Sequence, residues 1–123
     1  MTTIKILFVM LFAFATIQSA NAQSDKTQRT IGMKTQDIKV SGTCSMDKRR
    51  IETAAYSVDG IKSANWNENT QVLTLSYSVI IKDAADNVQK KITAVGNDTE
   101  KYRANGTVYQ ALPVCCHYQR KQT

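Results

Sequence analysis

The sequence predicts an α+β domain in which two helices cover one face of a small antiparallel sheet. Two observations carry that expectation. Three segments have the two-residue period of half-buried strands and two have the stripe of amphipathic helices, in the order strand, helix, strand, strand, helix. The length left for folding fits one small domain, because the first twenty-two of the 123 residues read as an export signal. Lys5 supplies its positive start, Ile6 to Ile17 an apolar run broken only by Thr16, and Ala20-Asn21-Ala22 a small-x-small cleavage pattern. That run is too short to span a bilayer, which takes about 20 apolar residues. No cysteine follows closely enough to carry a lipid. The expected product starts at Gln23, is exported and periplasmic, and has no membrane span after signal removal.

Residues 23–34 are polar and aperiodic and read as a flexible leader, 35–104 as the folded domain, and 105–123 as an extension. Ile38 and Val40 alternate with Asp37 and Lys39, the period of a first strand. Ser41-Gly42-Thr43 interrupts it, and Cys44 follows. Ile51, Ala54, Ala55 and Val58 then fall at i, i+3, i+4 and i+7 on one helix face. Ser45 is placed to cap that helix, Asp47 lies in its first turn, and Asp59-Gly60 stops it. Ile61 to Trp66 reads as a second strand, Asn67 to Thr70 as a tight turn, and Val72 to Ser78 as a third strand. Lys82 to Val95 returns to helical spacing through Ala84, Val88, Ile92 and Val95, and Gly96-Asn97-Asp98 ends it. Thr107 to Leu112 has the look of a short helical turn ended by Pro113, the one proline.

All three Phe residues leave with the signal, so the core must be built from Ile, Val, Leu and Ala around Trp66 and five Tyr. The net charge is +6, falling to +5 once Lys5 leaves with the signal. Such a balance often means nucleic acid, but an exported protein does not meet a genome. A protein partner, an anionic envelope surface or a plain solvated face accounts for it instead.

The stretch Ile38 to Glu52, with Cys44-Ser45-Met46-Asp47 between strand and helix, resembles the opening of a heavy-metal-associated domain. Gly60 to Trp66 resembles that family's second strand, Val72 to Tyr77 its third, and Gly96-Asn97-Asp98 stands where it often has G-Y-D. The resemblance covers residues 36 to 100 and implies a ferredoxin-like sandwich, with a fourth strand around Thr99 to Arg103. It also implies a soft-metal site in the C-x-x-C loop. Cys44 matches the first thiolate, whereas Asp47 occupies the second position. A carboxylate there either serves the helix dipole or moves metal preference from Cu(I) towards Zn(II).

The extension carries Cys115, Cys116 and the single histidine, His117, in succession. It resembles the Cys-Cys-x-Tyr ending of some exported bacterial members of the family. Sulfur plus imidazole suits Cu(I) or Zn(II), and the chain from Glu100 is long enough to fold back onto Cys44. Cys44 at a helix N-terminus favours the thiolate. The candidate metal ligands are therefore Cys44, Cys115, Cys116, His117 and Asp47, with a basic docking surface at Lys48, Arg49 and Arg50. Other readings stay open: a disulfide from Cys44 to either tail cysteine, a vicinal Cys115–Cys116 disulfide, or an exposed His117 with no role.

No phosphate loop or catalytic triad is visible, so an enzyme is not expected. The sequence points to an exported heavy-metal-binding carrier or sensor of copper, zinc or mercury, which docks on an envelope transporter or receptor. The alternative is a metal-free interaction module of the same fold with its tail held by a disulfide.

Overall fold

In the computed structural model, residues 32–122 are described. The residues read as an export signal and most of those read as a leader lie outside the described residues. The elements in chain order are β1 (Met33–Lys39), α1 (Ser45–Tyr56), β2 (Ile61–Asn67), β3 (Val72–Ser78), α2 (Ala84–Ala94), α3 (Gly106–Gln110) and a 3-10 turn (Val114–Cys116). The three strands form one antiparallel sheet in the order β1-β3-β2. Ile38 pairs with Leu73, and Leu73 with Trp66, so the apolar positions of all three strands share a face.

Against that face lie Ile51, Ala54 and Ala55 of α1 and Ala84, Val88 and Ile92 of α2, all buried in one core with Trp66, Leu73 and Leu75. The opposite face is wet: Thr74 donates to Asp37 across it at 2.7 Å. This is the α+β, ferredoxin-like architecture, with helices on one side of an antiparallel sheet. No helix among the described residues is long and apolar enough to cross a membrane.

Four details differ from the sequence reading. β1 begins at Met33, inside the stretch read as leader, because its open face needs no apolar alternation to pair with β3. The cap of α1 is Cys44 rather than Ser45. Val95 falls outside α2 and is 36% exposed, while Gln89 takes the buried place and accepts from the Lys101 amide through Oε1 at 3.2 Å. The fourth strand shrinks to a single bridge, Val40 to Thr99. There the backbone turns on itself: the Thr99 amide donates to the Tyr102 carbonyl at 2.9 Å, and Tyr102 returns a bond to Thr99 Oγ1 at 3.1 Å.

Candidate metal centre

Three loops meet at one end of the sheet: the β1–α1 loop, the turn after α2, and the tail. Gly42 lets the first lie flat on the core. A Cβ there would meet the Trp66 ring at 2.8 Å. Trp66 is fully buried and donates through Nε1 to the Val40 carbonyl at 2.9 Å, so ring and loop fix each other.

Asp47 organises the loop from within. Its carboxylate is fully buried and accepts from the Thr43 amide at 2.8 Å, Asn97 Nδ2 at 2.9 Å and Arg50 Nη1 at 2.7 Å. The contact to Thr43 resembles a capping box: an acid at the third helical position, in the first turn, reaches back to satisfy an amide ahead of the helix. Asn97 also donates to the Ser41 carbonyl at 2.9 Å, tying the second loop to the first. Cys44, at the N-cap with extended backbone, is thereby held at the mouth of α1.

The tail is docked rather than free. Tyr118, 2% exposed, donates to the Gly96 carbonyl and accepts from the Asp98 amide, both at 2.8 Å. Gly96 has φ +110°, and a Cβ there would meet Leu112 of the tail at 2.9 Å. Its conformation and its closeness to the tail both favour glycine. Arg120 forks onto Asp98 at 2.9 and 2.7 Å, and Thr43 Oγ1 donates to the Cys115 carbonyl at 2.6 Å. Leu112, Cys116 and Tyr118 form a small second core with Cys44 and Tyr109 against it.

This docking brings Cys44, Cys115 and Cys116 together. Cys44 Sγ lies 3.4 Å from Cys116 Sγ, Cys116 Sγ 3.9 Å from Cys115 Sγ, and all three sulfurs lie within 4.8 Å of one another. With metal–sulfur bonds of about 2.3 Å, a trigonal thiolate set needs sulfurs about 4.0 Å apart. The Cys115–Cys116 separation meets that need, and the Cys44–Cys116 pair would open by about 0.6 Å to reach it. The thiols are free.

Their protonation is divided. Burial works to raise the Cys44 thiol, but bonds from the first-turn amides of Asp47 and Met46 and from Cys116 outweigh it and hold it below its ordinary value. Burial pushes the Cys116 thiol up to about 11, against the opposing pull of Arg50, whose Nη2 lies 3.7 Å away. Cys44 thus ionises more readily than Cys116.

The other sequence candidates are not part of the three-sulfur group, although Asp47 Oδ2 and Arg50 Nη2 border it, 3.8 Å from Cys44 Sγ and 3.7 Å from Cys116 Sγ. Asp47 spends its oxygens on the loop. His117 stacks on the Tyr109 ring with centroids 5.0 Å apart, and its Nε2 is buried without a hydrogen bond among the described residues. Lys48 turns inward, bonding Glu52, Asn65 Oδ1 at 2.8 Å and the Trp66 carbonyl at 2.8 Å. Arg50 serves Asp47, which leaves Arg49 the exposed member of the basic trio. Sequence reasoning missed Asn97, Tyr118 and Met46. The first two act through bonds between distant segments, which no local pattern records. Met46, whose Sδ lies 3.6 Å from Cys115 Sγ, could have been singled out as a soft donor two residues from a loop cysteine.

Fold and thiols together define a heavy-metal-associated-like domain with a cysteine cluster at the head of its first helix. Among solved structures, the chain is similar to one described as a CopZ metallochaperone, at 25% identity and a TM-score of 0.50, covering 54% of this chain and 98% of that one. It is also similar to the water-soluble region of the P-type ATPase CopA from Bacillus subtilis, at 28% identity and a TM-score of 0.47, covering 55% of this chain and 44% of that one. No protein-family model and no curated protein matches the chain.

Proposed function

We propose that this chain is an exported, periplasmic heavy-metal-binding protein, a carrier or sensor and not an enzyme, whose cargo is a soft or borderline ion such as copper, zinc or mercury. One observation carries the reading: three thiol sulfurs from segments about seventy residues apart in sequence converge within 4.8 Å at a helix N-terminus. The similarity to a structure described as a metallochaperone supports it. Cys44 would take the ion as thiolate, and Cys116 and Cys115 would close on it, with the tail serving where the loop lacks a second cysteine. Asp47 then acts as a scaffold for the loop, not as a ligand. The ion would pass by ligand exchange to an envelope transporter or receptor docked beside Arg49, which lines a groove on α1 together with Met46.

Native mass spectrometry of the reduced protein at micromolar Cu(I), Zn(II) or Hg(II) tests the reading. One ion per chain is expected, with loss of binding in Cys44→Ser; no bound ion refutes it. Export is tested separately, by N-terminal sequencing of the secreted protein, which should begin at Gln23. A second reading has its own support in the 3.4 Å approach of Cys44 and Cys116. Oxidation of that pair would staple the tail and leave a metal-free interaction module.

A further inference from the structure

The sulfur chemistry of the site does not end with the thiols. Met46 lies in the first turn of α1 and is 48% exposed, and its Sδ lies 3.6 Å from Cys115 Sγ, itself exposed. A methionine at a free helix surface gains nothing from core packing, yet this one sits against the exposed thiol of the cluster, Cys115. A zinc site with three protein thiolates fills its fourth position with a further thiolate, imidazole, carboxylate or water, and not with thioether. Here the carboxylate of Asp47 is occupied by Thr43, Asn97 and Arg50, with Cys44 Sγ 3.8 Å from its Oδ2, and His117 is not among the groups that converge within 4.8 Å. The donors left at the rim are sulfur. A thioether is neutral and soft, does not compete for protons, and ranks with thiolate among the ligands that select Cu(I).

We propose that Met46 Sδ is a further ligand of this site, so that three thiols and one thioether form a sulfur set that favours Cu(I) over Zn(II). The proposal rests on the metal-binding reading above and adds to it the ion class and the donor that sets it. Because Met46 and Cys115 are the exposed pair, an incoming ion meets them before it reaches Cys44 and Cys116.

The test uses the reduced full chain, with Cu(I) supplied through a competing Cu(I) chelator and Zn(II) through a chromophoric one, in the original protein, Met46→Leu and Cys44→Ser. Leucine keeps the volume and removes the donor at an exposed position, and an unchanged thermal midpoint checks that it folds. Met46→Leu should weaken Cu(I) at least about tenfold, the low end of what losing even a supporting partner of a ligand costs, and should leave Zn(II) affinity where it was. The 13C-methyl signal of Met46 should move on adding Cu(I), while that of Met33, at the far end of β1 from the loop, stays still. Unchanged Cu(I) affinity in Met46→Leu, or an unmoved Met46 methyl, overturns the proposal. If Cys44→Ser abolishes binding in that case, the metal-binding reading survives alone. If the original protein binds neither ion, both fall together.

Discussion

Replacing Asp47 with Ala tests the claim that this residue holds the site's loop rather than the ion. The side chain is fully buried, and its loss strips an acceptor from the Thr43 amide, Asn97 Nδ2 and Arg50 Nη1 at once. Breaking a buried ion pair by removing one partner costs about 3–5 kcal/mol, because the other charge is left without compensation. Here the lower end applies. The Arg50 side chain is 19% exposed, Thr43 is exposed, and Asn97 keeps its bond to the Ser41 carbonyl, so part of the loss returns to water or to the remaining partner. A cost of about 3 kcal/mol corresponds to a fall of about 12–24 °C in thermal midpoint for a domain of this size. Circular dichroism melts of the reduced, metal-free protein measure it. In the double variant with Arg50→Ala, the second substitution should add little, since the charge it removes is the one left stranded. A fall of less than about 5 °C, or simple additivity, would refute the reasoning and mean that other contacts hold the loop.

Tyr118→Phe removes the bonds to Gly96 and Asp98 while keeping the ring, and should cost about 1–3 kcal/mol. It should also speed alkylation of Cys116, whereas an unchanged rate would mean the tail is held elsewhere. Ile51→Asp puts an unpaired charge in the core and should cost several kcal/mol of a total of about 5–15, leaving no cooperative melt. As pH is raised, iodoacetamide should label Cys44 well before Cys116, as read by peptide mass mapping, and simultaneous labelling would contradict the assigned order. The same groups set a stability profile. Between pH 9.0 and about 11 the unfolded chain ionises Cys116 while the folded one does not, so its contribution is lost as pH rises through that window. The lowered Cys44 acts oppositely: its contribution is present above its ordinary value and lost as pH falls through the folded one. Urea midpoints across that range for the reduced protein and for Cys116→Ala separate the two.

The order of strands and helices was legible in the residues, because the period of an element is a local property. The stripe Ile51, Ala54, Ala55, Val58 and the alternation in Val72 to Ser78 name their own buried faces, and both lie in the core. Local pattern failed where a segment's fate depends on partners. The stretch Thr99 to Tyr102 makes one bridge beside β1 and then turns on itself instead of continuing as a strand, and Met33 joins β1 because β3 is there to receive it. The site divides in the same way. Cys44, Cys115 and Cys116 could be picked from the chain by their chemistry, and the length of the tail made a meeting possible. Only the tertiary structure decided that they meet, through Tyr118 on Gly96, Arg120 on Asp98 and Thr43 on the Cys115 carbonyl. It also decided what the other candidates do: Asp47 holds the loop beside Cys44, Arg50 bonds Asp47 and borders Cys116, His117 lies on Tyr109, and Lys48 bonds the Trp66 carbonyl. A residue's donor atoms are written in the sequence. Whether those atoms are free or spent depends on neighbours that the fold brings from about fifty to seventy residues away.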